Sequence, residues 1–270
     1  MKKDALHARG RRGRRDAAYY TCMRLPAAVT QPRGIALAGL CAAIAAVSMP
    51  LRGGGSRGTS PPPRYKSNRP FFEDVEQRLK AVRPSKAGTP TREFLYASYS
   101  LISIFDALAG MGMVKSDMIG NCDKIWRHMD APDEQTLEAM CDAEIEKFGG
   151  DVDKAWRVDG SVCNSLLWLK RALRLVEGIM KALLKKPAKS MKECCNLAYA
   201  GSLKKYHNFV MKGAFGVAVN AAPDRDEFLL KLAPGSPGDV ALKSISKLLP
   251  TFTKHLDAIE TFLTSRKIER

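Results

Sequence analysis

Three stretches of the 270-residue chain carry side chains whose types and spacing could recognise a polar ligand. In the first, Asp117, Asn121 and Lys124 stand at i, i+4 and i+7, so a helix would stack them on one face. The neighbouring row, Met118, Cys122, Ile125 and Met129, is apolar. An acceptor, an amide and a cation therefore line the rim of something greasy. The second stretch is Ser165 to Leu175 and its continuation. Leu166, Leu169, Leu173, Val176, Met180 and Leu183 recur at steps of three and four, a buried helical stripe, with Lys170, Arg174, Glu177 and Lys181 as the opposite, wet stripe. Trp168 belongs to neither row; it sits at the border beside Lys170 and Arg171, one side dry and one end wet. In the third, His207 lies beside the stripe Tyr199, Leu203, Tyr206, Val210 and Ala214. Taken singly, each has a plain structural reading: a solvated acid–base row, an interfacial core tryptophan, a satisfied helical histidine.

Taken together, and in this order, the three stretches resemble the glycolipid transfer protein family. The resemblance rests on Asp117/Asn121/Lys124, on Leu167-Trp168-Leu169-Lys170-Arg171, and on Ala198-Tyr199 followed by Lys204-Lys205-Tyr206-His207; Ala221-Ala222-Pro223 and Phe228-Leu229 close the match. It runs from about Phe71 to the C-terminus and implies an all-α fold, a two-layer helical sandwich enclosing a lipid pocket. By the same resemblance Asp117 accepts a hydrogen bond from the amide N–H of a ceramide and His207 donates one to its carbonyl. Asn121 and Lys124 bind hydroxyls of the first sugar, and Trp168 is the plate on which that sugar lies. Phe105, Leu173, Phe215 and Ala218 are expected to line the hydrocarbon pocket, where a pocket wall and an ordinary core residue look alike. The implied function is non-vesicular transfer of sphingolipids between membranes, with no cofactor and no metal. The implied partners are a glycosphingolipid and, transiently, a membrane surface, for a monomer that binds no nucleic acid.

Elementary energetics say how such a carrier must be built. Each buried CH₂ is worth ~0.8 kcal/mol, so exposing one sixteen-carbon chain costs on the order of 12 kcal/mol. Head-group hydrogen bonds at ~1 kcal/mol each cannot offset that. The protein must enclose the chains, and the polar cluster can only select. An Asp–His pair reads an amide, because a diacylglycerol ester has no N–H to give. A branch of the family resembling ceramide-1-phosphate carriers has cations where this chain has Asn121 and Trp168, which argues here for a neutral sugar; Arg171 and Arg174 still stand within reach of a phosphate. One departure concerns docking: where glycolipid carriers have a Trp two residues after the motif His, this chain has Phe209. A lipid sensor of the same fold that does not ferry cargo keeps the same pocket. Catalysis finds little support, with no nucleophile elbow, no HExxH and no phosphate-binding Gly loop.

The net charge of +16 is unevenly spread. Thirteen Lys and Arg against Asp4 and Asp16 give residues 1–67 +11 of it, so the basicity describes a leader and not a nucleic-acid-binding domain. Gly34 to Met49 is an uncharged run of sixteen residues, short of the ~20 that span a bilayer and closer to the apolar centre of a targeting segment. A Gly/Ser/Pro linker follows, from Arg52 to Pro70. The division expected is a leader over 1–67 and a transfer domain over 68–270, cytoplasmic and peripheral to membranes, or organelle-targeted or anchored through residues 1–50. Seven cysteines with no recurrent spacing describe no disulfide framework.

Helices are expected over Phe71–Val82, Glu93–Leu108, Lys115–Met129, Asp133–Phe148, Val162–Leu184, Met191–Asn220, Asp224–Leu232, Asp239–Leu249 and Thr251–Arg266. Met191–Asn220 is read as one long helix carrying His207. No alternating β-branched run competes with this reading.

Overall fold

A computed structural model describes residues 68–130 and 135–269; the leader and its apolar run lie outside the described residues, as does the start of the helix expected at Asp133. The described part falls within one compact unit, Gly55–Arg270. It holds ten α-helices: α1 Phe71–Ala81, α2 Thr91–Ile102, α3 Gly112–Arg127, α4 Leu137–Lys147, α5 Val152–Arg157, α6 Val162–Lys185, α7 Met191–Gly201, α8 Phe209–Val219, α9 Arg225–Leu232 and α10 Gly238–Ser265. A 3₁₀ turn, Ser103–Ala107, finishes α2. Among the described residues β-pairing is confined to two isolated bridges.

Local chemistry accounts for the starts. Ser161 Oγ accepts the amide of Asn164 at 3.0 Å and begins α6; Ser190 and Glu193 form a reciprocal capping box at α7; Asn208 Oδ1 takes the amide of Met211 and begins α8. Each satisfies an amide that the helix itself leaves without a partner. The core lies around α6, which packs against α3, α7 and α10. Its apolar stripe is buried as its spacing implies.

The structure corrects the sequence reading at four places. The long helix over Met191–Asn220 is two: α7 stops at Gly201, Ser202 leaves helical geometry, and the chain turns through Leu203–Tyr206 before α8 begins. His207 therefore sits in a loop, not on a helix. The stop signal is Gly201-Ser202 and the restart signal is the Asn208 cap, both masked by the apolar periodicity running through them. Conversely, Pro250 does not divide the last segment: α10 is one helix of 28 residues with the proline inside it. The carbonyl that Pro250 leaves unbonded belongs to Ser246, and both residues are exposed to water. The short helix α5 has no counterpart in the sequence reading. Finally, the stripe opposite the leucines is not wet. Lys170 and Glu177 are only 2% and 3% exposed: Glu260 of α10 and Glu269 pair with Lys170, while Thr253 of α10 donates to Glu177, whose charge partners Arg174 and Lys181 are on α6 itself.

Two glycines allow close approaches that shape the site. Gly110, at φ +83°, brings the turn after the 3₁₀ segment against the Ala218 carbonyl of α8, where a Cβ would stand 2.4 Å from the oxygen. Gly178 lets α6 and α7 touch, since a Cβ there would be 2.9 Å from that of Ala198. Overpacking of a close helix contact costs about 1–3 kcal/mol. Gly178→Val is therefore expected to lower stability by about 2 kcal/mol in urea unfolding, with the slope against urea unchanged; an unchanged midpoint would show that α7 shifts freely.

Candidate functional site

Helix α3 presents the triplet. Asn121, buried, donates from Nδ2 to Asp117 Oδ2 at 3.4 Å, and Lys124 Nζ pairs with Asp159 Oδ1 at 2.7 Å. Met118, Cys122 and Ile125 lie inward on the same helix, as their row implies, and Met129, just past its end, is buried too. Asp117 is accessible to water, yet the protein crowds its carboxyl. That desolvation raises its pKa, with Lys124 opposing and Asp159 adding to the rise. Its charge is thus held at a cost to the fold, as expected of a group kept for a ligand.

Helix α6, packed along α3, presents Trp168 at the border of its buried face. The loop after α7 brings His207 to it: the two rings stack at 6.3 Å and 30°, while Tyr206 meets Trp168 edge-on. His207 Nδ1 lies 2.9 Å from the Tyr199 hydroxyl. Burial, and secondarily Lys212, depress the His207 pKa, whereas burial raises that of Tyr199. A neutral imidazole that accepts the Tyr199 O–H at Nδ1 carries its own proton on Nε2. In that tautomer Nε2–H is the histidine's hydrogen-bond donor.

Phe105, Leu173 and Phe215 are buried in the hydrophobic cluster, and Ala218 packs against it. Phe215 stacks face to face on Tyr199 at 3.8 Å, which joins the apolar wall to the residue that orients His207.

Arg171 and Arg174 are placed differently from the phosphate-reaching role considered for them. The Arg171 guanidinium donates from Nε and Nη2 to Glu269 at 3.3 and 3.1 Å and lies 3.5 Å from the Tyr206 ring centroid. Arg174 is held by Glu177, Asp257 and Glu260. Glu269, 9% exposed, also accepts from Lys170 Nζ and the Tyr206 hydroxyl, each at 2.6 Å. Burial alone would raise its pKa, but the bonds from Arg171, Lys170 and Tyr206 pull it down to about 2. Sequence reasoning missed Glu269 because nothing local marks a penultimate carboxylate as buried. It missed the Tyr199–His207 bond because that reading had both residues on one helix.

A histidine whose folded pKa is depressed adds stability above the unfolded value near 6.5, and that stability is lost as pH falls through the folded value. The His207 imidazole is therefore expected to titrate below pH 6.5 by NMR, with stability declining as the pH drops through that range. A midpoint at or above 6.5 would contradict the buried, neutral assignment.

Residues 89–234 match the family model of glycolipid transfer protein. A glycolipid transfer protein of Danio rerio is 31% identical over 192 residues, covering 67% of this chain and 90% of that protein. Pleckstrin homology domain-containing family A member 8 of Rattus norvegicus is 29% identical over 194 residues, 68% of this chain; the chain matches only 36% of that relative's length. Among solved structures, the fungal glycolipid transfer protein HET-C2 aligns with TM-score 0.60 and 26% identity over 72% of this chain and 96% of its own. FAPP2, described as selecting simple glycosphingolipids using the GLTP-fold, aligns with TM-score 0.64 and 24% identity over 75% and 98%. Human ceramide-1-phosphate transfer protein bound to 12:0 ceramide-1-phosphate gives 0.65 and 18% over 73% and 97%. The last two show likeness of fold. The chain belongs to the glycolipid transfer protein family.

Proposed function

We propose that residues 68–270 form one transfer domain that carries a glycosphingolipid between membranes. The observation that carries this reading is the make-up of the head-group site. It offers an amide (Asn121), an indole (Trp168) and a single lysine (Lys124), while Arg171 and Arg174 are already engaged by carboxylates. A phosphate needs free cations; a sugar needs hydrogen bonds and a flat ring to lie on. Asp117 takes the ceramide N–H and neutral His207 donates Nε2–H to the carbonyl. The chains enter the cluster around Phe105, Leu173, Phe215 and Ala218. The site works by binding, and no catalytic step is assigned to it.

Helix α8 is the proposed membrane-docking face of a monomer. Phe209 is 89% exposed, and Val210 and Val217 are exposed on the same short helix. Phe209 supplies apolar contact without the N–H that holds an indole at the interface. No described helix is long and apolar enough to cross a membrane, which fits peripheral association. We assign the domain to the cytoplasmic side of membranes and residues 1–67 to a targeting or anchoring leader.

The test is transfer between donor and acceptor vesicles with labelled galactosylceramide and ceramide-1-phosphate. The glycolipid is expected to move faster; faster movement of the phosphate lipid would overturn the head-group assignment. Asp117→Val is expected to reduce glycolipid transfer at least tenfold, since a lost charged hydrogen bond is worth about 1.5–3 kcal/mol, with helicity and stability intact. Trp168→Ala is expected to harm sugar-bearing lipids most. Retained binding without transfer would instead identify a sensor.

A further inference from the structure

Away from the head-group residues, α6, α7, the loop after α7 and Glu260 of α10 line an open cleft of about 420 Å³, a volume suited to a small ligand. Its floor is made of small residues, Gly178, Ala182, Ala198 and Gly201 among them. Their size follows from the close approach of the two helices at Gly178 and Ala198. Its walls carry seven Lys and Arg side chains against two carboxylates. Four of those cations are answered: Lys170 and Arg171 by Glu269, Arg174 by Glu177, Asp257 and Glu260, and Lys181 by Glu177. Three face the cleft without a carboxylate among the described residues. Lys185 and Lys186 close α6, and Lys205 lies 4.7 Å from the Tyr206 ring centroid.

We propose that this cleft is a second ligand site, for a small polyanion bearing two or more phosphate groups on a ring-sized scaffold. The concavity is too small for a macromolecule. Lys185 and Lys186, with Lys205 held only by the Tyr206 side chain and the field of Glu269, lower the local potential energy of a multiply charged anion far more than that of a monoanion. Nor is the cleft the sugar site by another route, because Asp117, Asn121, Lys124, Trp168 and His207 do not line it. The two sites do share a wall. Arg171 and Tyr206 line the cleft and also touch Trp168, the guanidinium 5.1 Å from the indole centroid and the phenol edge-on to it. The cleft's rim at Lys205 and Tyr206 stands just ahead of the exposed Phe209, so an anionic lipid head group and a soluble inositol phosphate offer it the same chemistry.

The test uses the full chain and free inositol 1,4,5-trisphosphate, followed by isothermal titration calorimetry. Three proteins are compared: the unaltered chain, Lys185→Glu/Lys186→Glu, and Lys80→Glu/Lys243→Glu. The last makes the same charge change on exposed lysines outside the cleft and corrects for the basic leader. The cleft variant is expected to bind the trisphosphate about tenfold or more weakly. The control variant should match the unaltered chain, and all three should bind galactosylceramide alike. A second arm uses vesicles containing phosphatidylinositol 4,5-bisphosphate. Weaker vesicle binding by the cleft variant alone identifies a lipid head group as the ligand's source, and equal vesicle binding by all three identifies a soluble one. Equal loss of trisphosphate binding in both variants, or loss in neither, overturns the cleft. Because galactosylceramide binding is read separately, that result leaves the transfer reading untouched.

Discussion

One sixteen-carbon chain costs on the order of 12 kcal/mol to hold in water, several times what the head-group bonds supply. That asymmetry shapes the molecule. Most of the described apolar residues form a single cluster around α6, and the polar groups proposed for recognition lie at its edge. Phe105, Leu173 and Phe215 are part of that cluster; in the transfer function proposed above they become the lining once a lipid enters. In that proposal selection falls to a few side chains such as Asp117, whose carboxyl pKa is raised by the protein around it.

The same economy explains how the cluster's edge is kept in place. Trp168 and His207 come from different elements, and neither is bonded to the other. Their relative position depends on Tyr199, which fixes the imidazole, and on Tyr206 and Arg171, which pack against the indole and end on Glu269. A buried carboxylate with four hydrogen bonds from three residues is costly to break once formed. It ties the last turn of the chain to the helix that carries the tryptophan. The loop from Ser202 to Asn208, which a continuous helix would have abolished, is what lets the histidine face the indole at all.

Much of this was legible in the sequence. The apolar period of three and four located α3 and α6, and the Asp117/Asn121/Lys124 spacing placed three side chains on one helix face, as found. Boundaries failed where two signals competed: Gly201-Ser202 and Asn208 interrupt a stripe that otherwise runs on, while Pro250 sits on an exposed face and interrupts nothing. The wet stripe failed for a different reason. Lys170 and Glu177 look solvated from their own helix, and only the distant residues Glu269 and Thr253 show that they are buried and paired. The Lys170–Glu269 ion pair and the Thr253–Glu177 hydrogen bond join residues 99 and 76 positions apart, and such pairings leave no local trace in a sequence.

The central claim is that an acid and a neutral histidine read the sphingolipid amide while the apolar cluster holds the chains. Transfer of galactosylceramide set against a galactosyl diacylglycerol of matched chain length tests it most directly, because the sugar is kept while the sphingoid base with its amide N–H gives way to a glycerol with two esters, and Asp117→Asn separates the amide contact from the other differences. The account predicts much faster transfer of the ceramide lipid, with the difference abolished in Asp117→Asn. Equal transfer of the two lipids by the unaltered chain would contradict it.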